Sequence, residues 1–120
     1  VFRSKKKETR VLQLQRKLIG GATSWAKTIF NEEIDIMCKQ VADNIDLLGS
    51  MNIQLRLTDN GPRIFEINPR FSSTLLMRHL IGFQDLIWTI NDSLDIENSY
   101  TSIPEGIELA RTQDVVILKK

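Results

Sequence analysis

Apolar residues recur with a helical period between residues 31 and 48. They fall at spacings of three and four and form one continuous stripe: Ile34, Met37, Cys38, Val41, Ala42, Ile45 and Leu48. Asn31 is a favourable N-cap, and the acidic residues that follow it face the positive end of the helix dipole. The pattern predicts a helix over residues 31–48 that ends at Gly49.

The N-terminal part of the chain alternates with the period of a β-strand. Leu12 and Leu14 share one face of a predicted strand, with glutamines on the other face. The polar stretch at residues 4–9 predicts a turn between this strand and an earlier one. Gly20 and Gly21 then predict a loop with unusual backbone angles.

Residues 52–68 predict a β-hairpin with one polar face. Gln54 lies on that face of the first strand, and Glu66 and Asn68 lie on it in the second, because residues two apart project to the same side. Two residues of the second strand are expected to face an apolar layer instead: Phe65 and Ile67.

The length of the hairpin loop decides which residues pair. A three-residue loop that ends at a left-handed Gly61 pairs Gln54 with Glu66. A two-residue loop of Asn60 and Gly61 would set Gln54 against Ile67, on the wrong face. The amphipathic pattern of both strands favours the three-residue loop.

After Pro69 the pattern predicts two short helices, at residues 73–80 and 84–93, separated by Gly82. Four apolar residues at 115–118 predict a buried strand. The chain is therefore predicted to be one α+β domain, an antiparallel β-sheet backed by α-helices.

Composition narrows the class of protein. Sixteen basic and 15 acidic residues leave a net charge of +1, which argues against a nucleic-acid partner. A lone cysteine, Cys38, excludes an internal disulfide and a cysteine zinc site. The sequence carries neither a membrane-spanning stretch nor a secretory leader, and a cytoplasmic protein is expected. A first residue other than methionine, Val1, indicates an excised fragment or a processed form of the chain.

The hairpin strand and the turn after it offer candidate ligands for a metal and a phosphate. Glu66 and Asn68 present hard oxygens of the kind that Mg²⁺ prefers. Arg70 follows the strand and can fork onto a phosphate oxygen, and Gln54 adds one more contact across the hairpin. On the residues alone, a Glu and an Asn that are simply solvated on an exposed sheet face remain the alternative.

Three segments form one larger pattern: Asn52-Ile53-Gln54-Leu55, Asp59-Asn60-Gly61 and Glu66-Ile67-Asn68-Pro69-Arg70-Phe71-Ser72. This pattern resembles the C-terminal subdomain of ATP-grasp ligases. It is most similar to the ATP-binding domain of the carbamoyl-phosphate synthase large subunit and related carboxylate-amine ligases, over about residues 12–90. The whole chain, residues 1–120, is accordingly expected to be the C-terminal part of an ATP-grasp domain.

The resemblance implies a site for ATP with Mg²⁺ or Mn²⁺ and a small carboxylate substrate. It implies that Glu66 and Asn68 ligate the metal between ATP phosphates, with Gln54 as a further ligand at the metal and phosphate edge. Arg70 would be the catalytic residue at the phosphates or the acyl-phosphate intermediate. Two residues would lie beside the acceptor carboxylate: Ser72 and Ser73.

Two departures from the family pattern leave the activity open. The base, the ribose and a lysine contact to the phosphates would come from an N-terminal subdomain, in cis or in trans, so the isolated chain is expected to be inactive. Ser73 stands where longer carbamoyl-phosphate synthases carry another arginine, which indicates a different acceptor. The alternative function is a non-catalytic ATP-grasp remnant that serves as a protein interaction or assembly module.

Overall fold

The computed structural model of the chain describes residues 1–112. Along the chain the elements are β1 (Phe2–Arg3), β2 (Thr9–Arg10), β3 (Gln13–Ile19), β4 (Ala22–Ile29), α1 (Glu32–Asn44), β5 (Gly49–Ser50), β6 (Asn52–Thr58), β7 (Gly61–Asn68), α2 (Leu75–Leu80), α3 (Asp85–Ser93) and β8 (Glu108–Ala110). This α+β arrangement confirms the predicted fold class. The strand predicted at residues 115–118 lies outside the described residues.

The strands form antiparallel sheets, in the orders β2-β1-β5, β3-β4-β8 and β6-β7. A tight turn joins β3 to β4, and both of its glycines have positive φ, +58° at Gly20 and +80° at Gly21. The predicted glycine loop is thus confirmed. The two predicted C-terminal helices are present as α2 and α3, with Gly82 at φ +99° between them.

An aromatic cluster packs the N-terminal strand against α3. Phe2, Phe83 and Trp88 are buried together, and Tyr100 packs at their side. The Trp88 ring meets the rings of Phe83 and Tyr100 edge-on, at centroid distances of 4.9 and 5.0 Å. None of the helices in residues 1–112 has the length and apolar character that a membrane crossing requires.

Helix α1 begins as predicted but ends earlier. Asn31 caps it, since its side-chain oxygen accepts a hydrogen bond from the Ile34 amide at 3.0 Å. The helix ends at Asn44, and the prediction that it extends to Leu48 is wrong. Leu48 is 66% exposed, whereas its neighbour Leu47 is buried.

A buried arginine accounts for the early end of α1. Arg3 donates to the Leu47 carbonyl at 2.9 Å and forms ion pairs with Asp43 and Asp46 at 3.2 and 2.9 Å. Asp46 adopts a left-handed conformation, φ +48°, which a helix cannot continue through. These contacts cross from β1 and are not visible in the local apolar pattern.

Gln54 and Glu66 pair as predicted, but the loop length and the register of the hairpin differ from the prediction. Thr58 pairs directly with Gly61, so the loop has two residues and the prediction of a three-residue loop is wrong. A β-bulge then shifts the register between Gln54 and Leu55, and Gln54 pairs with Glu66 as predicted. A bulge adds one residue to one strand, which compensates for the shorter loop.

The bulge also changes which side chains are covered. Ile64, rather than Phe65, pairs with Leu55. Phe65 is 58% exposed and Ile67 is 44% exposed, so the prediction that both face an apolar layer is wrong. A two-stranded sheet buries less of its surface than the larger sheet that the prediction assumed.

Candidate functional site

An open cavity of about 480 Å³ lies between β3, the β6-β7 hairpin and the segment that leads into α2. Gln54 and Glu66, which are partners on the hairpin ladder, both line it. Arg70 and Ser72, from the chain that follows β7, line it as well. Most of the residues singled out by the sequence thus come together around one space.

Asn68 lies beside this cavity and does not line it. Its Nδ2 donates to Glu66 Oε1 at 2.6 Å, and its Oδ1 accepts from Arg70 Nη2 at 3.5 Å. The orientation of this amide is fixed by chemistry, because a carboxylate only accepts and a guanidinium only donates. Glu66, Asn68 and Arg70 therefore form one hydrogen-bonded row at the end of β7.

A residue that the sequence prediction missed, Arg16, enters the same cavity from β3. Its Nη2 donates to Gln54 Oε1, and its Nη1 donates to Thr23 Oγ1 at 3.4 Å. The signal was present in the alternation of the strand. Arg16 is two residues after Leu14, so a charged residue occupies the otherwise apolar face of β3.

The loop after β7 is held in place by an ion pair that the sequence prediction did not include. Arg78 forms a bidentate ion pair with Asp85, with both N–O distances 2.8 Å. Arg78 Nη1 also donates to Ser72 Oγ at 2.9 Å, and Ser50 Oγ donates to Asp85 Oδ2 at 2.7 Å. Ser72 is thereby fixed at the cavity wall.

Ser73 is placed at the wall by a backbone contact. It lines the cavity next to Ser72, and its carbonyl oxygen accepts a hydrogen bond from the Arg111 guanidinium. Arg111 is itself anchored on β4, because its Nε donates to the Thr23 carbonyl at 2.9 Å. The two predicted acceptor-side serines thus lie together on a restrained loop.

The charges at the cavity favour an anionic ligand. Its wall carries the guanidinium groups of Arg16, Arg70 and Arg78 and the carboxylates of Glu66 and Asp85. Asp85 forms an ion pair with Arg78, which leaves two guanidinium groups and one carboxylate of the cavity wall outside that pair. An oxyanion in the cavity would find donors both on β3 and on the segment that follows β7.

The same groups fit a divalent cation only if the ligand contributes oxygens. Within residues 1–112, no three His, Cys, Asp or Glu side chains come together as a metal cluster. Glu66 offers the one carboxylate that is not ion-paired, and the amides of Asn68 and Gln54 offer carbonyl oxygens. Mg²⁺ accepts such a sparse protein set when phosphate oxygens and water complete the shell.

A second cavity, about 620 Å³, adjoins the first and is more apolar. Both cavities are lined by Leu14, Arg16 and Gln54. Beyond these shared residues the second cavity reaches side chains from α1 and the hairpin: Ile34, Cys38, Leu55, Leu57 and Phe65. A ligand with an anionic end and an apolar ring would match the two halves of this cleft.

The chain matches a known protein family. A family model described as ATP-grasp in the biosynthetic pathway with Ter operon matches residues 1–115. No curated protein matches the chain.

Proposed function

The chain belongs to the ATP-grasp family, and from that premise we propose that it supplies the metal- and phosphate-binding half of an ATP-dependent carboxylate-amine ligase. The observation that carries the proposal is the ladder pair of Gln54 and Glu66, whose side chains line the same cavity as Arg70. A carboxylate, an amide and a guanidinium in one cavity are the groups that binding of Mg·ATP requires.

The proposed reaction has two steps. An oxygen of the acceptor carboxylate attacks the γ-phosphorus of ATP, the bond to the β–γ bridging oxygen breaks, and ADP leaves. An amine then attacks the carbonyl carbon of the acyl phosphate and loses a proton, and inorganic phosphate leaves with the electron pair of the broken C–O bond. The result is an amide, ADP and phosphate.

The residues at the cavity and beside it that the sequence singled out each have a role in this scheme. Glu66 and Asn68 would hold the metal, with Gln54 at the edge of its site. Arg70 binds the transferred phosphoryl group and offsets the charge that develops there. Mg²⁺, or Mn²⁺ in its place, supplies further charge neutralisation at the phosphate oxygens when bound.

The acceptor lies at the loop after β7 in this proposal. Ser72 and Ser73 are restrained there by Arg78 and Arg111, and both line the cavity. Their hydroxyl groups suit a small carboxylate. Ser73 stands in place of the additional arginine of longer carbamoyl-phosphate synthases, and amino acids, small hydroxy acids and bicarbonate are the candidate acceptors.

The nucleotide base has a place in the second, apolar cavity. Leu14 and Leu55 contribute its walls from β3 and β6. An N-terminal ATP-grasp subdomain, in cis or in trans, completes the contacts to the ribose and base. The described residues alone are therefore expected to bind ATP weakly and to turn it over little.

Titration of the chain with Mg·ATP tests the proposal directly. The backbone amide signals of Glu66, Asn68 and Arg70 should shift as nucleotide is added. The shifts should be lost in Glu66→Gln and retained in Asp59→Asn, which removes an exposed carboxylate at the hairpin turn. Because Gln is nearly isosteric with Glu, loss of binding would report on charge and not on shape.

Two results would overturn the proposal. One is an unchanged amide spectrum at millimolar Mg·ATP together with a stable oligomer, which would favour a non-catalytic assembly module. The other is wild-type nucleotide affinity in Glu66→Gln. In the full-length protein, ADP release that depends on added carboxylate would identify the acceptor.

A further inference from the structure

Arg16 is a half-buried cation that points into the candidate site and has no acidic partner there. We propose that its guanidinium binds the terminal phosphate of the nucleotide and that Gln54 holds it in the orientation to do so. This inference rests on the proposed function, because it needs a nucleotide in the cavity. It adds a second phosphate anchor to Arg70 and replaces the role of Gln54 at the metal edge with that of positioning Arg16.

The hydrogen bonds of Arg16 leave most of its donors free. A guanidinium has five N–H donors. One is used by Gln54 Oε1 and one by Thr23 Oγ1, and the structure of residues 1–112 gives no further partner. Three donors therefore remain on a planar fork of the kind that binds phosphate oxygens.

The two buried arginines, Arg3 and Arg78, differ from Arg16 in this respect. Arg3 has Asp43 and Asp46 as partners, and Arg78 has Asp85. In the part of the chain that the structure describes, no carboxylate lies within ion-pair distance of Arg16. An unpaired charge that is partly withdrawn from water is unfavourable, and a bound anion would relieve it.

The contact between Arg16 and Gln54 also fixes which way the Gln54 amide faces. A guanidinium has no acceptor, so the atom turned toward it must be the carbonyl oxygen Oε1. That oxygen is the one that a metal ion would need. Gln54 therefore acts through Arg16, as a positioning residue.

The position of Gln54 on the ladder indicates which phosphate Arg16 meets. Gln54 pairs directly with Glu66, and directly paired residues have Cβ atoms about 4.5–5.5 Å apart. Glu66 would hold the metal ion that neutralises the phosphates at the reacting end of ATP. Arg16, anchored beside it from β3, faces the end of the triphosphate, and Arg70 approaches from the hairpin side.

Calorimetric titration with ATP and with ADP, both with Mg²⁺, tests this assignment in the full-length protein. Arg16→Met should weaken ATP binding about 10- to 100-fold, the range expected for a lost charge-assisted hydrogen bond, and leave ADP binding within about threefold. Lys17→Met, a neighbour on the opposite face of β3, is the matched control and should leave both affinities unchanged. Arg16→Lys should keep part of the preference for ATP, since it keeps the charge.

Gln54→Met tests the positioning role. It should weaken ATP binding about three- to tenfold, because the guanidinium loses its anchor but not its charge. In Arg16→Met/Gln54→Met the loss should equal that of Arg16→Met alone, since Gln54 then has nothing to orient. If Gln54 were instead a metal ligand, the loss of ATP affinity in Gln54→Met would add in full to the loss in Arg16→Met.

Three results would overturn the inference, and each is distinct from failure of the proposed function. Equal loss of ATP and ADP affinity in Arg16→Met, or a lowered melting temperature, would assign Arg16 a structural role. Additive losses in the double variant would restore Gln54 as an independent contact. If Arg16→Met kept the ATP affinity of the wild type while Glu66→Gln lost binding, Arg16 would not contact the nucleotide. The proposed ligase function would be unaffected. Absence of nucleotide binding in the wild type would overturn both.

Discussion

Arg78 and Asp85 face each other in a bidentate ion pair from which water is almost wholly excluded, with side chains 8% and 3% exposed. Arg78 lies in α2 and Asp85 in the first turn of α3. The same two groups also bond Ser72 and Ser50, so the pair links both helices to the wall of the candidate site. Removing one partner would leave the other charge buried and unpaired.

Asp85→Ala should therefore lower the free energy of unfolding by about 3–5 kcal/mol, the loss typical of a broken buried ion pair. Urea unfolding followed by tryptophan fluorescence measures it, and Trp88 lies close by in α3. Glu105→Ala, an exposed loop carboxylate, should change stability by less than about 0.5 kcal/mol. Arg78→Met/Asp85→Leu should lose less than Asp85→Ala, and an equal loss would contradict this account.

Two features of Gly61 disfavour a side chain at this position: its backbone conformation and a close neighbouring side chain. Its φ is +84°, and an added Cβ would lie 3.2 Å from Glu33 Oε2. Gly61→Ala should lower stability by about 1–2 kcal/mol, the penalty for a left-handed L-residue. Gly61→Asn should cost less, since Asn tolerates this region better. Thermal unfolding compares the two.

A second variant separates the two causes at Gly61. If strain in φ dominates, Gly61→Ala should be as costly in a Glu33→Ala background as in the wild type. If the contact with Glu33 dominates, most of the loss should be recovered, because the opposing side chain has been removed. A neutral Gly61→Ala would contradict both explanations.

The sequence predicts the elements of this fold better than their ends and connections. The stripe from Ile34 to Ala42 predicts α1 because one helix face packs against one core. Its last turn depends on Arg3, more than 40 residues away. The Gln54–Glu66 pair was predicted from amphipathicity, but the bulge that produces it was not, since a bulge and a longer loop give the same pattern.

The residues of the candidate site were likewise predicted only where they are close together in the sequence. Glu66, Asn68 and Arg70 are close in sequence and carry a recognisable motif. Arg16 and Asp85 reach the cavity only through tertiary packing, so their spacing from the motif at residues 66–70 could not indicate them. A charged residue on an apolar strand face was the one available signal, and it identifies Arg16 alone.

Cys38, the single cysteine, is predicted to be inert in the native protein. It lies on the buried face of α1, and burial raises the pKa of its thiol above the usual value, which leaves little reactive thiolate at neutral pH. Modification by a thiol reagent should be slow in native protein and fast in urea. Rapid modification of the native protein would contradict the position of Cys38 in the structure.

Tyr100, the single tyrosine, makes stability fall at high pH. Burial raises the pKa of its hydroxyl above 10.0, and this outweighs the opposing effects of the Ser4 hydrogen bond and the Arg10 guanidinium, which lies 4.2 Å from the ring centroid. A pKa that is higher in the folded state than in the unfolded state stabilises the fold below the unfolded value, about pH 10. That contribution is lost as the pH rises through the folded value.

Ultraviolet absorbance of tyrosinate follows Tyr100 without interference from another tyrosine. The native protein should ionise at a higher pH than the urea-unfolded protein, and Tyr100→Phe should abolish the signal. Arg10→Ala should move the native transition to still higher pH, because it removes a cation that favours tyrosinate. Coincident native and unfolded titrations would mean that Tyr100 is not packed against Phe2 and Trp88, and the aromatic cluster that joins β1 to α3 would need to be redrawn.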